Sequence, residues 1–281
     1  MGINDIIIYI MVIFMIIGGI DKILGNKFGY GEKFEEGFMA MGSLALAMVG
    51  VISLAPVLAK VLRPVVEPLY TALGADPAMF ATTLLANDMG GYPLAMELAK
   101  DPNAGLFAGL ILGAMMGPTL VFTIPVALGI IEKEDRPYLA KGVLAGMITI
   151  PLGCLAGGLV AGFGINMIIM NLIPIIIFAV LICIGLWLIP EKMTKGFTIF
   201  GQGVVIVITI GLMAAIVETL TGIVVIPGMA PLSEGINVIG SIAIVLAGAF
   251  PLVHFITKAF KAPLTKVGKQ LGMNEVGAAG L

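Results

Sequence analysis

Residues 78–99 read AMFATTLLANDMGGYPLAMELA. About 20 apolar residues span the hydrocarbon of a bilayer, and this stretch has that length. Its centre, however, holds Asn87 and Asp88, followed by Gly90, Gly91 and Pro93. Asp88 lies roughly ten residues from either end, near mid-membrane if the stretch crosses fully. A lone carboxylate there costs about 2.5–3.5 kcal/mol on insertion scales, so it must face a cavity, a partner or water. In a helix Gly costs about 1 kcal/mol and Pro about 3 relative to Ala. These residues predict a break between two half-helices across Asn87–Pro93, with Gly90, Gly91 and Pro93 as its hinge. Such a break frees the carbonyls of Leu85–Asp88 beside the negative end of the first half-helix dipole. Asp88 and those carbonyls suit a cation, above all an ammonium with three donors, while Asn87, Thr82 or Thr83 could bond a hydroxyl. The competing reading is that Asn87 and Asp88 only cap the second half-helix.

The rest of the chain sets the context. Of 281 residues, 59% are hydrophobic and 11% charged, with 38 Gly and 18 Met, and the mean hydropathy is +1.13. Soluble domains run nearer ~25% charged, and disordered chains are more polar still. About eight apolar runs can be bounded, at 3–20, 38–62, 78–99, 106–131, 139–163, 167–189, 197–220 and 236–257. The expected fold is an all-α, polytopic transmembrane helix bundle with broken helices, forming a single transmembrane domain over residues 1–281. The opening MGINDIIIYIMV lacks a basic n-region and reads as a retained helix. Residues 63–76 read as a short separate amphipathic helix with Pro64 in its first turn. Net charge is −2, which offers no general attraction for nucleic acid. With two cysteines and one histidine, no metal cluster or cofactor site is expected. HExxH, Walker-type and nucleophile-elbow motifs do not occur, so an enzyme is not expected.

Lys and Arg in the loops orient such a chain. If every run crosses, 11 of the 15 cations share the side of the N-terminus, which is then cytoplasmic. If the third run dips in and returns, 12 face the cytoplasm, 3 (Lys60, Arg63, Lys100) face outward, and the N-terminus is outside. Charge alone does not separate the two. The chain also repeats itself: MGSLALAMVG (Met41–Gly50) aligns with IGSIAIVLAG (Ile239–Gly248), and Pro64 falls opposite Pro263. One repeat is expected over about 38–100. A second begins over about 236–281, and its counterpart of LLANDMGG would fall beyond Leu281, so the second half is expected to be incomplete. Paired halves are typical of secondary transporters. A returning third run makes them inverted, a crossing one parallel.

Further polar residues lie in the runs. In MMGPTLVFTIP (Met115–Pro125), Pro118 and Pro125 withhold backbone donors, while Thr119 and Thr123 share a helix face and could line a polar path. Back-bonding of each Thr to its own helix is the plainer reading. Glu218 reads as snorkelling, His254 as a packing or interface residue, and Trp187 as an interfacial anchor.

The stretches MGINDIIIYIMVIFMIIGGIDKIL, FEEGFMAMGSLALAMVG, LLANDMGGYPLAMELA, MMGPTLVFTIPVALGIIE and LAKGVLAGMITIPLGCLAGGLVA closely resemble the EutH family of bacterial ethanolamine-utilisation membrane proteins. The resemblance covers essentially the whole chain. It implies a multi-pass ethanolamine permease of the bacterial inner (plasma) membrane, feeding an ethanolamine ammonia-lyase pathway. It also implies relatives that extend past GAAGL. It supplies no binding residues, so those rest on the reading above. The expected partners are ethanolamine and membrane lipid; a homo-oligomer stays open. Two other classes also stay open: a transporter of another small amine or nucleoside-like solute, and a non-transporting scaffold or sensor for metabolic enzymes.

Overall fold

In the computed structural model, residues 3–124 and 136–270 are described, and those residues form helices and no strands. The first two helices are α1 (Ile3–Ile23) and α2 (Tyr30–Ala72). Then come α3 (Ala78–Leu84), a 3-10 turn (Asn87–Met89) and α4 (Gly91–Leu98). Residues 102–124, here α5, alternate α-helix (Pro102–Leu106, Gly113–Pro118) with π-helix (Phe107–Leu112, Thr119–Thr123). The remainder is α6 (Arg136–Val160), α7 (Ile165–Leu188), α8 (Pro190–Thr221) and α9 (Leu232–Gln270). Among the described residues five helices, α1, α2, α7, α8 and α9, are long and apolar enough to cross a membrane. Outward apolar side chains such as Ile23 (85% exposed), Leu220 (78%) and Trp187 (77%) fit a surface that faces lipid.

One correction concerns residues 63–76. They form no separate helix: α2 runs unbroken through Pro56, Pro64 and Pro68 to Ala72. Each proline removes one N–H donor. In an apolar setting the neighbouring backbone groups have no better partner than their own helix, so the helix persists.

The chain divides into two compact units, residues 1–44 with 237–281, and residues 45–236. In the first, the Asp21 carboxylate is buried and accepts hydrogen bonds from the N–H groups of Phe28 (3.0 Å), Tyr30 (2.9 Å) and Gly31 (3.0 Å). It thereby satisfies donors that the start of α2 would otherwise leave open. The His254 ring meets Tyr30 edge-on at 5.2 Å, in keeping with a packing role.

In the second unit the third apolar run does not cross. The Asp76 carboxylate, just before α3, accepts hydrogen bonds from the N–H groups of Lys100 (3.0 Å) and Asp101 (2.9 Å), just after α4. A segment whose two ends share one carboxylate has entered and returned. Charge counting left this open; the backbone decides it in favour of a re-entrant hairpin.

Helix α5 supports the hairpin through glycines four residues apart. Gly105 faces Met96 and Ala99, Gly109 faces the Tyr92 ring, Gly113 faces Thr82 and Asn87, and Gly117 faces the Leu85 carbonyl. Residues spaced by four share a helix face, and without side chains there the two backbones pack closely. A Cβ at Gly117 would overlap the Leu85 oxygen, whereas nothing lies within 4 Å of one at Gly142. Gly117→Ala should therefore lower the thermal unfolding midpoint of the detergent-solubilised protein, at an overpacking cost of about 1–3 kcal/mol. Gly142→Ala should leave the midpoint unchanged or raise it. Equal midpoints for the two variants would contradict this packing.

Candidate functional site

The hairpin tip follows from local sequence. Helix α3 ends where Leu85 (φ −113°, ψ 140°) and Ala86 (φ −65°, ψ 152°) become extended. After the 3-10 turn, Gly90 takes φ +90°. A side chain there would be strained, and a Cβ would also strike Val51 of α2, so only glycine fits. Pro93, expected to weaken the helix, is the third residue of α4, where a missing donor is tolerated. Gly91 opens α4 and donates to the Ala86 carbonyl at 2.9 Å.

The break frees the Leu85 carbonyl as expected, but not that of Ala86, and it reaches further back into α3. The Ala86 oxygen accepts from Met89 (3.1 Å) and Gly91. Among the described residues, no backbone N–H bonds the carbonyls of Thr82, Thr83 and Leu84, at the end of α3, or of Leu85, which follows it. These oxygens carry the negative end of a short helix dipole.

The candidate side chains differ sharply. Asn87 uses Oδ1 to accept from the Asp88 N–H at 2.9 Å, a local cap. The Asp88 side chain is exposed, and its carboxylate accepts no hydrogen bond among the described residues. Thr83 and Thr119 both spend their hydroxyls on their own helices, donating to the carbonyls of Met79 (2.6 Å) and Met115 (2.7 Å). Thr123 is exposed. Thr82 is fully buried, and its Oγ1 has no partner among the described residues. Thr82 and Asn87 come together over Gly113. At Pro118 no break occurs: α5 changes register instead, and the Ile124 N–H bonds the Thr119 carbonyl five residues back. Pro125 lies outside the described residues.

The base of the hairpin is built from residues outside the expected site: Asp76 ends the stretch read as an amphipathic helix, Lys100 and Asp101 lie between two apolar runs, and Asn171 lies inside the run 167–189. Asp76 also accepts from the Ala78 N–H (2.9 Å), and its own N–H donates to Oδ1 of Asn171 on α7 (2.7 Å). Asn171 in turn donates to the Met167 carbonyl at 2.9 Å. Asp101 caps α5 by accepting from the Asn103 N–H (2.9 Å), with Pro102 at the first helical position. Lys100 pairs with Glu67 of α2 at 2.6 Å, and Arg63 donates to the Glu97 carbonyl. The signal for this base was in the sequence as Asp76-Pro77 and Asp101-Pro102, a capping residue before proline on either side of the run. The glycine ridge was legible as a four-residue spacing.

Residues 3–281 match the family model described as "Ethanolamine utilisation protein, EutH". The chain belongs to the EutH family. It is 72% identical over all of its 281 residues to a protein of Listeria monocytogenes named probable ethanolamine permease EutH, covering 75% of that relative. It is 54% identical to the Escherichia coli protein of the same name, over all of this chain and 78% of the relative. A Bacillus subtilis relative, the uncharacterised protein YxeR, is 57% identical, again over the whole chain and 76% of its own length. No solved structure matches significantly. With its apolar helices, this EutH-family chain is a multi-pass protein of the bacterial inner membrane.

The clasp at Asp76 is directly testable. Charge-assisted hydrogen bonds contribute about 1.5–3 kcal/mol each. In Asp76→Ala, amide hydrogen exchange at Lys100 and Asp101 should accelerate at least tenfold, with Asp76→Asn intermediate. Unchanged exchange in Asp76→Ala would show that the hairpin closes without this carboxylate.

Proposed function

We propose that this chain carries ethanolamine, a small protonated amino alcohol, across the inner membrane, and receives it at the tip of the α3–α4 hairpin. The observation that carries the reading is Asp88: an exposed carboxylate without a partner among the described residues, at a helix break in an apolar chain. The tip packs against Gly113 and Gly117, 11 to 15 residues into α5. At 1.5 Å per residue that is about 17–22 Å from the hairpin base, in a hydrocarbon core about 30 Å thick. A carboxylate at that depth is costly unless a cation or water accompanies it.

Ethanolamine supplies an ammonium with three donors, for Asp88 and the open carbonyls at the end of α3, and a hydroxyl. Elimination among the candidate side chains favours Thr82 for that hydroxyl. Thr83 and Thr119 are engaged by their own helices, and Asn87 spends its acceptor on Asp88 N–H. Thr82 alone among the buried candidates has an unmatched polar atom. The names of the relatives support the same substrate. Protonated ethanolamine crosses hydrocarbon poorly, and the neutral fraction that leaks through shrinks as pH falls, which gives a permease its use.

We also read the chain as carrying inverted repeats. Met41–Gly50 lies on α2 and Ile239–Gly248 on α9, the two longest helices, and each helix continues through the aligned prolines Pro64 and Pro263. With the third run returning, the first copy runs outward and the second inward. Such inverted pairs suit alternating access.

Labelled ethanolamine uptake into proteoliposomes tests the site. Asp88→Asn should lower uptake at least tenfold, equivalent to about 1.4 kcal/mol; equal uptake would remove Asp88 from the mechanism. Thr82→Val should reduce the preference for ethanolamine over ethylamine, which lacks the hydroxyl, by about an order of magnitude, while Thr82→Ser keeps it. If Thr82 were only a buried orphan, removing its hydroxyl would be neutral or stabilising and the preference would not move.

A further inference from the structure

A groove of about 560 Å³ runs between the last turns of α2 and the base of the hairpin. Lys60, Arg63 and Lys100 line it, along with the carboxylates of Glu67 and Glu97. With the third run returning, these three cations are all the Lys and Arg residues that the loop count leaves on the outward side, against 12 on the other. Loops on that side are normally poor in Lys and Arg, yet here every one of those residues converges on a single groove.

Internal pairing does not account for them. Lys100 is neutralised by Glu67 at 2.6 Å. Arg63 donates to the backbone oxygen of Glu97 and shares the charge of Glu67 with Lys100, and Lys60 has no partner among the described residues. Lys60 and Arg63 are three apart on one helix, where like charges repel. Three cations against two carboxylates leave the groove one positive charge in excess. Its remaining wall is apolar, including Pro56, Ala59 and Pro64. The groove also lies at the base of the hairpin, beside Glu97 and Lys100.

We propose that this groove binds the headgroup of an anionic glycerophospholipid. Lys60 and Arg63 hold its phosphate, with the apolar wall against the glycerol and first methylenes. Arg offers planar donors matched to phosphate oxygens, and Lys adds a point charge. The bound phosphate relieves the repulsion between the two cations. It also fastens α2 at the segment that clasps the hairpin through Arg63 and Lys100.

Native mass spectrometry of the full chain in detergent, titrated with phosphatidylglycerol, tests this. Wild type should retain phosphatidylglycerol in preference to phosphatidylcholine. Lys60→Gln should weaken retention about tenfold, Lys60→Arg should restore it, and Lys192→Gln, at an exposed cation outside the groove, should not change it. Equal retention by wild type and Lys60→Gln would overturn the site, as would equal losses in Lys60→Gln and Lys192→Gln. Displacement by soluble glycerol phosphate at the same concentration would show a free-phosphate site and overturn the lipid assignment.

Discussion

One carboxylate holds the arrangement together. Asp76 accepts hydrogen bonds from Ala78 at the start of the hairpin and from Lys100 and Asp101 at its end, while its own N–H is anchored by Asn171. A backbone in hydrocarbon cannot leave its polar groups unmatched, so an irregular segment survives there only when protein covers it. By closing the base, Asp76 lets a run of apolar residues turn back halfway. The same run packs against the glycine ridge of α5, and in the proposed reading this carries its broken tip into the apolar layer.

Depth and breakage together account for the chemistry of the tip. A continuous helix at Thr82–Leu85 would use its carbonyls internally, and a carboxylate at the surface would be unremarkable in water. The extended pair Leu85–Ala86 and the left-handed Gly90 instead leave four carbonyls and the Asp88 carboxylate without donors among the described residues. The negative end of a half-helix beside a carboxylate is a setting for a small cation.

Much of this was legible in the sequence. The apolar runs gave the helices, because a length of about 20 residues is imposed by the bilayer itself. Asn87-Asp88 two residues before Gly90-Gly91 marked the break. Three things were not legible. Whether residues 78–99 cross or return depends on two hydrogen bonds, between residues 24 and 25 positions apart, which no local pattern encodes. The persistence of α2 through three prolines depends on the lack of competing partners in an apolar setting, so local propensity misjudged it. Which of the threonines keeps a free hydroxyl depends on rotamers: Thr83 and Thr82 are adjacent, yet only Thr83 back-bonds.

The returning hairpin is the claim from which orientation, inverted repeats and site depth all follow. It is tested most directly by sidedness. Single cysteines at Leu73 and Asn103, in a background lacking Cys154 and Cys183, would be labelled in oriented membranes with an impermeant maleimide. Both positions should react from the same face. Reaction from opposite faces would mean that residues 78–99 cross the membrane, and would contradict the account.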